Sequence, residues 1–125
     1  MTEVAGSSAY FRGGVVAYDN AVKTSALGVP DELIRAHGAV SEPVARAMAD
    51  GARARLQADV AVAVTGIAGP GGGSEAKPVG TVVIAATGLD RERVRTFRFI
   101  GDRALVRAQS VQAALDAVRR LILDL

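Results

Sequence analysis

Apolar residues recur along the chain with two different spacings, and the change from one to the other marks out its elements. Residues 13–18, Gly-Gly-Val-Val-Ala-Tyr, have the compact apolar character of a strand. Asp19-Asn20 breaks that run and caps a short helix carrying Val22, Lys23 and Ala26, which Gly28 ends. Pro30-Asp31-Glu32 opens a second helix, with proline and acids in its first turn, and Gly38 stops it. A longer helix starts at Ser41-Glu42-Pro43, and its Val44, Met48, Ala52 and Leu56 fall on one face, making Met48 core filler. Residues 59–66 and 80–87 read as buried strands, and 94–100 as a third in which arginines alternate. The short Gly88-Leu89-Asp90 connection makes the last two an antiparallel hairpin. From Asp102, an N-cap, the positions Leu105, Ala108, Val111, Leu115, Val118, Ile122 and Leu125 predict the clearest amphipathic helix of the chain. This order predicts a layered α/β domain with a mixed β-sheet flanked by helices, in one unit over residues 1–125 with no repeat or linker.

Composition narrows the chemistry. Half of the residues are apolar, enough for a packed core at this length. There is no apolar run of about eighteen residues and no basic-then-apolar start, so a cytoplasmic chain without a membrane partner is expected. The absence of cysteine removes disulfides, thiolate catalysis and thiolate-bound metals. His37 is the only histidine and no metal-ligand spacing is recognisable, so a reaction with no metal and no cofactor is expected. His37 itself reads as a helix C-terminal residue beside the last carbonyls. Fifteen basic residues against thirteen acidic ones give a net charge of only +2. Arg91, Arg93, Arg95 and Arg98 gather on one strand-like segment, yet two tyrosines, three phenylalanines and no tryptophan make a poor base-stacking platform. A solvated strand face, with no nucleic-acid partner, is the reading that follows.

The most informative stretch is Thr65-Gly66-Ile67-Ala68-Gly69-Pro70-Gly71-Gly72-Gly73, directly behind the apolar run 60–64. A buried strand emptying into a glycine-rich loop lets backbone N–H groups approach a ligand, and such concave arrays suit anions, phosphate above all. No Gly-Lys-Ser/Thr follows and the dinucleotide-binding spacing is absent, so a plain surface connection stands beside the phosphate reading. Lysine is scarce: only Lys23 and Lys77 occur in a chain that otherwise uses arginine. Lys77 closes the glycine loop, and Lys23 follows Tyr18-Asp19-Asn20. A desolvated lysine can lose its proton and an arginine cannot. Ser7 and Ser8 on a turn, Tyr18 and Lys23 therefore form a candidate set for amide hydrolysis, the lysine activating a serine hydroxyl. The alternative is an ordinary Gly-Ser-Ser turn with a packed tyrosine. Oxyanion donors would come from the glycine loop, the Thr65 hydroxyl or the amides around Ser7 and Ser8. Arg103 and Arg107, one helical turn apart, could pair with a ligand phosphate or simply be solvated beside Asp102.

Taken in order and spacing, a set of motifs resembles the CinA C-terminal domain family. They are Ala5-Gly-Ser-Ser-Ala-Tyr-Phe11, Gly13-Gly-Val-Val-Ala-Tyr-Asp-Asn20 with Lys23, Leu27-Gly-Val29, Gly38-Ala-Val-Ser-Glu42, Val64-Thr-Gly-Ile-Ala-Gly-Pro-Gly-Gly72, Lys77-Pro-Val-Gly-Thr-Val82, and Gly101-Asp102-Arg103 with Arg107. The resemblance implies nicotinamide mononucleotide deamidation, giving nicotinic acid mononucleotide and ammonia by a Ser/Lys amidohydrolase mechanism without a metal. It implies Ser8 as nucleophile, Lys23 as general base and Tyr18 as proton relay or orienter, with Ser7 still open as the nucleophile. Thr65, Gly66, Ala68, Gly69 and Arg103, together with Ser7, are the implied substrate-site residues. Members of that family begin earlier, with a helix, a strand and a Glu-Ser-x-Thr-Gly-Gly block that this sequence lacks, so a repaired sheet edge in a homo-oligomer is expected. A catalytically silent nucleotide-binding or competence-associated interaction module is the alternative function.

Overall fold

The computed structural model describes all 125 residues. After a short 3-10 turn at Ser7–Ala9 come α1 (Asn20–Leu27), α2 (Asp31–His37), α3 (Glu42–Leu56), β1 (Val60–Gly66), β2 (Thr81–Gly88), β3 (Arg91–Arg98) and α4 (Arg103–Leu123). The chain is thus a layered α/β domain of four helices on one three-stranded sheet, in the order β1-β2-β3.

Both strand pairs are antiparallel, with Val64 opposite Ile84 and Ile84 opposite Arg95. The expected mixed sheet is corrected accordingly. The cause lies in residues 13–18, the apolar run expected as a strand. They pair with no strand, and Val16 and Tyr18 are 90% and 84% exposed. A strand is a pairing arrangement, and an apolar run without a neighbouring strand forms none.

All eight residues of β2 are buried, which its continuous Val-Val-Ile-Ala-Ala run allows because both faces of the central strand are covered. Alternation divides them. Val83 and Ala85 join Ala63 of β1, Val44, Ala45, Met48 and Ala49 of α3, and Leu27, Val29 and Ile34 in the larger core cluster. Val82 and Ile84 point the other way, onto Val106 and Ala114 of α4. Of the row predicted for α3, Val44 and Met48 are buried while Ala52 and Leu56 are half-buried, and truncating Met48 to alanine would cost about 2–5 kcal/mol. Arg46 of α3 donates to both carboxylate oxygens of Glu92 on β3, at 2.8 and 3.2 Å, and ties the helix across the sheet. On the other side of α3, Gly51 lies under the end of α1. A Cβ there would sit 1.9 Å from the Leu27 carbonyl oxygen, so this crossing admits only glycine.

α4 departs from expectation in which face it buries. Val106, Ser110, Ala114 and Leu121 meet the sheet, whereas Leu105, Val111, Leu115 and Ile122, predicted as the core row, are each about half exposed or more except Leu115, at 41%. Small Ser110 and Ala114 are both buried on this face. The Ser110 hydroxyl donates to the Val106 carbonyl at 2.7 Å, so its burial leaves no donor unpaired. α4 thus carries two apolar faces, one covered and one open. No helix is long and apolar enough to cross a membrane.

Candidate functional site

α1 places Lys23. Asp19 caps the helix by accepting from the Ala21 amide at 2.7 Å, as its position before the helical pattern predicts. One turn in, Lys23 faces inward and is 6% exposed. Its ammonium donates to the Ala17 carbonyl at 3.0 Å, the Tyr18 carbonyl at 3.3 Å and Asn20 Oδ1 at 3.3 Å. Burial pushes the pKa of Lys23 down, and the neighbouring Asp19 carboxylate partly offsets this by favouring the charged form. The result is a desolvated amine saturated by three acceptors, all from the four residues 17–20.

The serines stand apart from it. Ser7 and Ser8 lie in the 3-10 turn, whose Ser7 carbonyl accepts from the amides of Tyr10 and Phe11 at 3.1 and 2.8 Å. Ser8 is exposed. No hydrogen bond joins either hydroxyl, or that of Tyr18, to Lys23, whose partners are the three acceptors just named. Tyr18 contributes its carbonyl while its ring stands in solvent. Asn20, which the sequence showed only as part of a cap, is the residue that pattern reasoning missed. Its place three residues before Lys23 on a helix was the available signal.

The glycine loop, residues 67–80, connects β1 to β2. It is closed at its base by Ile67 N–H donating to the Thr81 carbonyl at 2.9 Å and Gly80 N–H to the Ile67 carbonyl at 2.7 Å. The amides of Ala68, Gly69, Gly71, Gly72 and Gly73 meet no protein acceptor. Arg103, the first residue of α4, donates from Nη1 to the Gly69 carbonyl at 3.0 Å and so places one guanidinium against the loop. Arg107, one turn further, is exposed. Thr65 ends β1 at 6% exposure, and its hydroxyl donates to the Ala39 carbonyl at 2.8 Å, leaving it only acceptor capacity for a ligand. Gly66, next along, is exposed. The loop amides and Arg103 therefore come together, Thr65 borders them in a structural role, and Lys23 forms a separate buried centre.

At the other end of the strands, Asp50, Arg53, Thr87, Asp90, Arg91 and Glu92 line a shallow recess of about 280 Å³. It has no apolar wall, which an aromatic ring would need. No cluster of three His, Asp or Glu side chains is placed to hold a metal ion.

Known proteins agree with this architecture. A sequence model of the CinA C-terminal domain matches residues 1–122. A CinA-like protein of Mycobacterium sp. (strain JLS) is 58% identical over 125 residues, covering 99% of this chain and 30% of that protein. A putative competence-damage inducible protein of Symbiobacterium thermophilum is 54% identical, covering 98% of this chain and 31% of that protein. The chain thus spans about a third of the length of these relatives. Among solved structures, the competence/damage inducible protein CihA from Agrobacterium tumefaciens superposes with a TM-score of 0.93 at 44% identity, over 96% of this chain and 74% of that one. A competence-damaged protein (CinA) superfamily structure from Escherichia coli gives 0.81 at 37% identity, over 85% and 62%.

Proposed function

This chain belongs to the CinA C-terminal domain family, and on that premise we propose that it is an amidohydrolase converting nicotinamide mononucleotide and water to nicotinic acid mononucleotide and ammonia. The observation that carries this reading is Lys23, a lysine 6% exposed whose pKa is pushed down by burial. A buried amine is the form of lysine able to act as a base.

In the proposed reaction the Ser8 hydroxyl adds to the carboxamide carbon while Lys23 takes its proton. The C–N bond breaks and Lys23 returns that proton to the departing ammonia. Water then cleaves the resulting ester, passing one proton through Lys23 back to Ser8. For this, Ser8 must come within hydrogen-bond reach of Nζ, and Lys23 must release one of its three acceptors. The exposed turn carrying Ser8 and the short reach of those acceptors are compatible with such a change on substrate binding. The loop amides and Arg103 supply donors for the phosphate. Self-association belongs to the same reading, since the outer edge of β1 pairs with no strand and one face of α4 is open. A sedimentation mass equal to one chain at every concentration would remove that part.

The second reading is a catalytically silent nucleotide-binding or interaction module, favoured by the lack of a hydrogen bond between Ser8 and Lys23. Ammonia release from nicotinamide mononucleotide separates the two, with Ser8→Ala and Ser7→Ala as paired controls. Loss of turnover in Ser8→Ala alone supports the hydrolase and names its nucleophile. A folded chain that binds the nucleotide in calorimetry and releases no ammonia is the silent module.

A further inference from the structure

Three consecutive carbonyls in the turn between α2 and α3 are each held by a different side chain. The His37 carbonyl accepts from Lys77 Nζ at 2.7 Å, that of Gly38 from the Ser41 hydroxyl at 2.8 Å, and that of Ala39 from the Thr65 hydroxyl at 2.8 Å. The first and third donors flank the glycine segment, Thr65 just before it and Lys77 where it closes. Both ends of the segment are therefore tied to one short turn that is far from it in sequence.

Lys77 also organises the loop locally. Its amide donates to the Ser74 hydroxyl at 3.1 Å and its carbonyl accepts from the Ser74 amide at 2.9 Å, so the backbone at 77 folds the end of the loop while the side chain crosses to α2. Two features make the crossing favourable. An ammonium on the last carbonyls of a helix complements the helix dipole. Gly38 provides the room, because a Cβ there would lie 3.0 Å from Nζ and its φ of +80° favours glycine. Ser41 takes part at a cost to α3. It is the N-cap residue, yet its hydroxyl turns back to Gly38 and caps no α3 amide. Three side chains that could serve elsewhere are thus spent on fixing this turn against the loop.

We propose that Lys77 is a positioning residue. Seated on the His37 carbonyl, and acting with Thr65 on Ala39, it holds the two ends of the glycine loop in place. The unpartnered amides of Gly71, Gly72 and Gly73 then present one ordered donor surface to an anionic ligand group. The ligand side of this inference rests on the deamidase reading of the loop; the ordering itself does not.

The test uses the full chain as Lys77→Met, which keeps length and loses the donor, as Lys77→Arg, which keeps charge, and as Thr65→Val, which removes the other tie. Backbone order parameters of Gly71 to Gly73 should stand near the rigid value of about 0.85 in the parent and fall below about 0.6 in Lys77→Met, with partial recovery in Lys77→Arg. Thr65→Val should loosen the same amides. The KM for nicotinamide mononucleotide should rise about tenfold in Lys77→Met while kcat stays within about threefold, a change of about 1.4 kcal/mol in binding. Unchanged order in Lys77→Met, or a loosened loop with an unchanged KM, overturns the inference. If the loop loosens in Lys77→Met but the parent chain releases no ammonia, the role of Lys77 stands and the deamidase reading is removed instead.

Discussion

Lys23 and Lys77 are the only lysines of the chain, and both donate to backbone carbonyls, Lys23 to the Asn20 side-chain oxygen as well. The likeness ends there. Lys23 is 6% exposed and takes its three acceptors from residues three to six positions earlier in the chain, so its contacts are local and its burial is what perturbs it. Lys77 is partly exposed, and its ammonium has one partner, the backbone carbonyl of His37 at the end of α2, so its contact is a tether between distant segments. A buried amine surrounded by its own segment is suited to moving a proton, whereas a partly solvated one bridging two segments is suited to holding shape. Residue scarcity alone would have treated the two as equals.

Substitution at Lys23 should separate them most sharply. Lys23→Met is expected to lower turnover by about 100- to 10,000-fold, the range for loss of a general base, with a circular dichroism spectrum like the parent's. Lys23→Arg should not rescue it, since arginine cannot give up its proton. Parent-like ammonia release from either variant would take Lys23 out of the mechanism and leave the comparison without its chemical half.

The pH profile is the next largest effect. If the neutral amine is the active form, kcat/KM rises with pH and levels off above the pKa of Lys23, which burial holds below the ordinary lysine value of 10.5. Asp19 acts in the opposite sense by favouring the ammonium. Asp19→Asn keeps the cap while removing the charge, so the ascending limb should move to lower pH. The same shift has a stability signature. Between the lowered folded pKa and 10.5 the unfolded chain holds a proton that the folded chain does not. Stability from this group therefore increases as pH rises through that window, and thermal melts of Lys23→Met should lose the increase. An unmoved limb in Asp19→Asn would assign it to another group.

Smaller effects are expected where side chains hold the loop or a phosphate. Arg103→Met removes the guanidinium bonded to Gly69 and should raise KM about tenfold with little change in kcat. Calorimetric affinity for the nucleotide reads the same loss without turnover. Thr65→Val deletes one buried hydrogen bond and leaves the Ala39 carbonyl without that donor, costing about 1 kcal/mol in a denaturant titration. A cost near zero there would mean that the Ala39 carbonyl finds another donor.

Much of the architecture is legible in the sequence because it follows from local signals. The Asp19 and Asp102 caps, the row on α3 through Val44 and Met48, and the β2–β3 hairpin all depend on residues close together in the chain. What was not legible depends on partners. Residues 13–18 have strand composition but pair with no strand, and composition does not encode a neighbour. On α4 the larger side chains form the more conspicuous row, yet the buried face is the one carrying Val106, Ser110, Ala114 and Leu121. At the site, the sequence singled out Ser7, Ser8, Tyr18 and Lys23, together with Thr65, Gly66, Ala68, Gly69 and Arg103. It could not show that Asn20 would receive the Lys23 ammonium, nor that the hydroxyl of Thr65 was already committed to Ala39. Those facts concern which way a side chain turns, and that is decided by packing.

Gly51 extends the functional region in a direction that chemistry alone would not indicate. The end of α1 rests on α3 at a point where even a methyl group would collide with the Leu27 carbonyl. In a survey of every single substitution, this position should be as intolerant as Lys23, although it has no side chain. Any replacement acts as a wedge under the helix that carries the buried amine. The heredity of such a site would then be written partly in hydrogen: selection for a working lysine also holds fixed the bare α-carbon on which its helix lies.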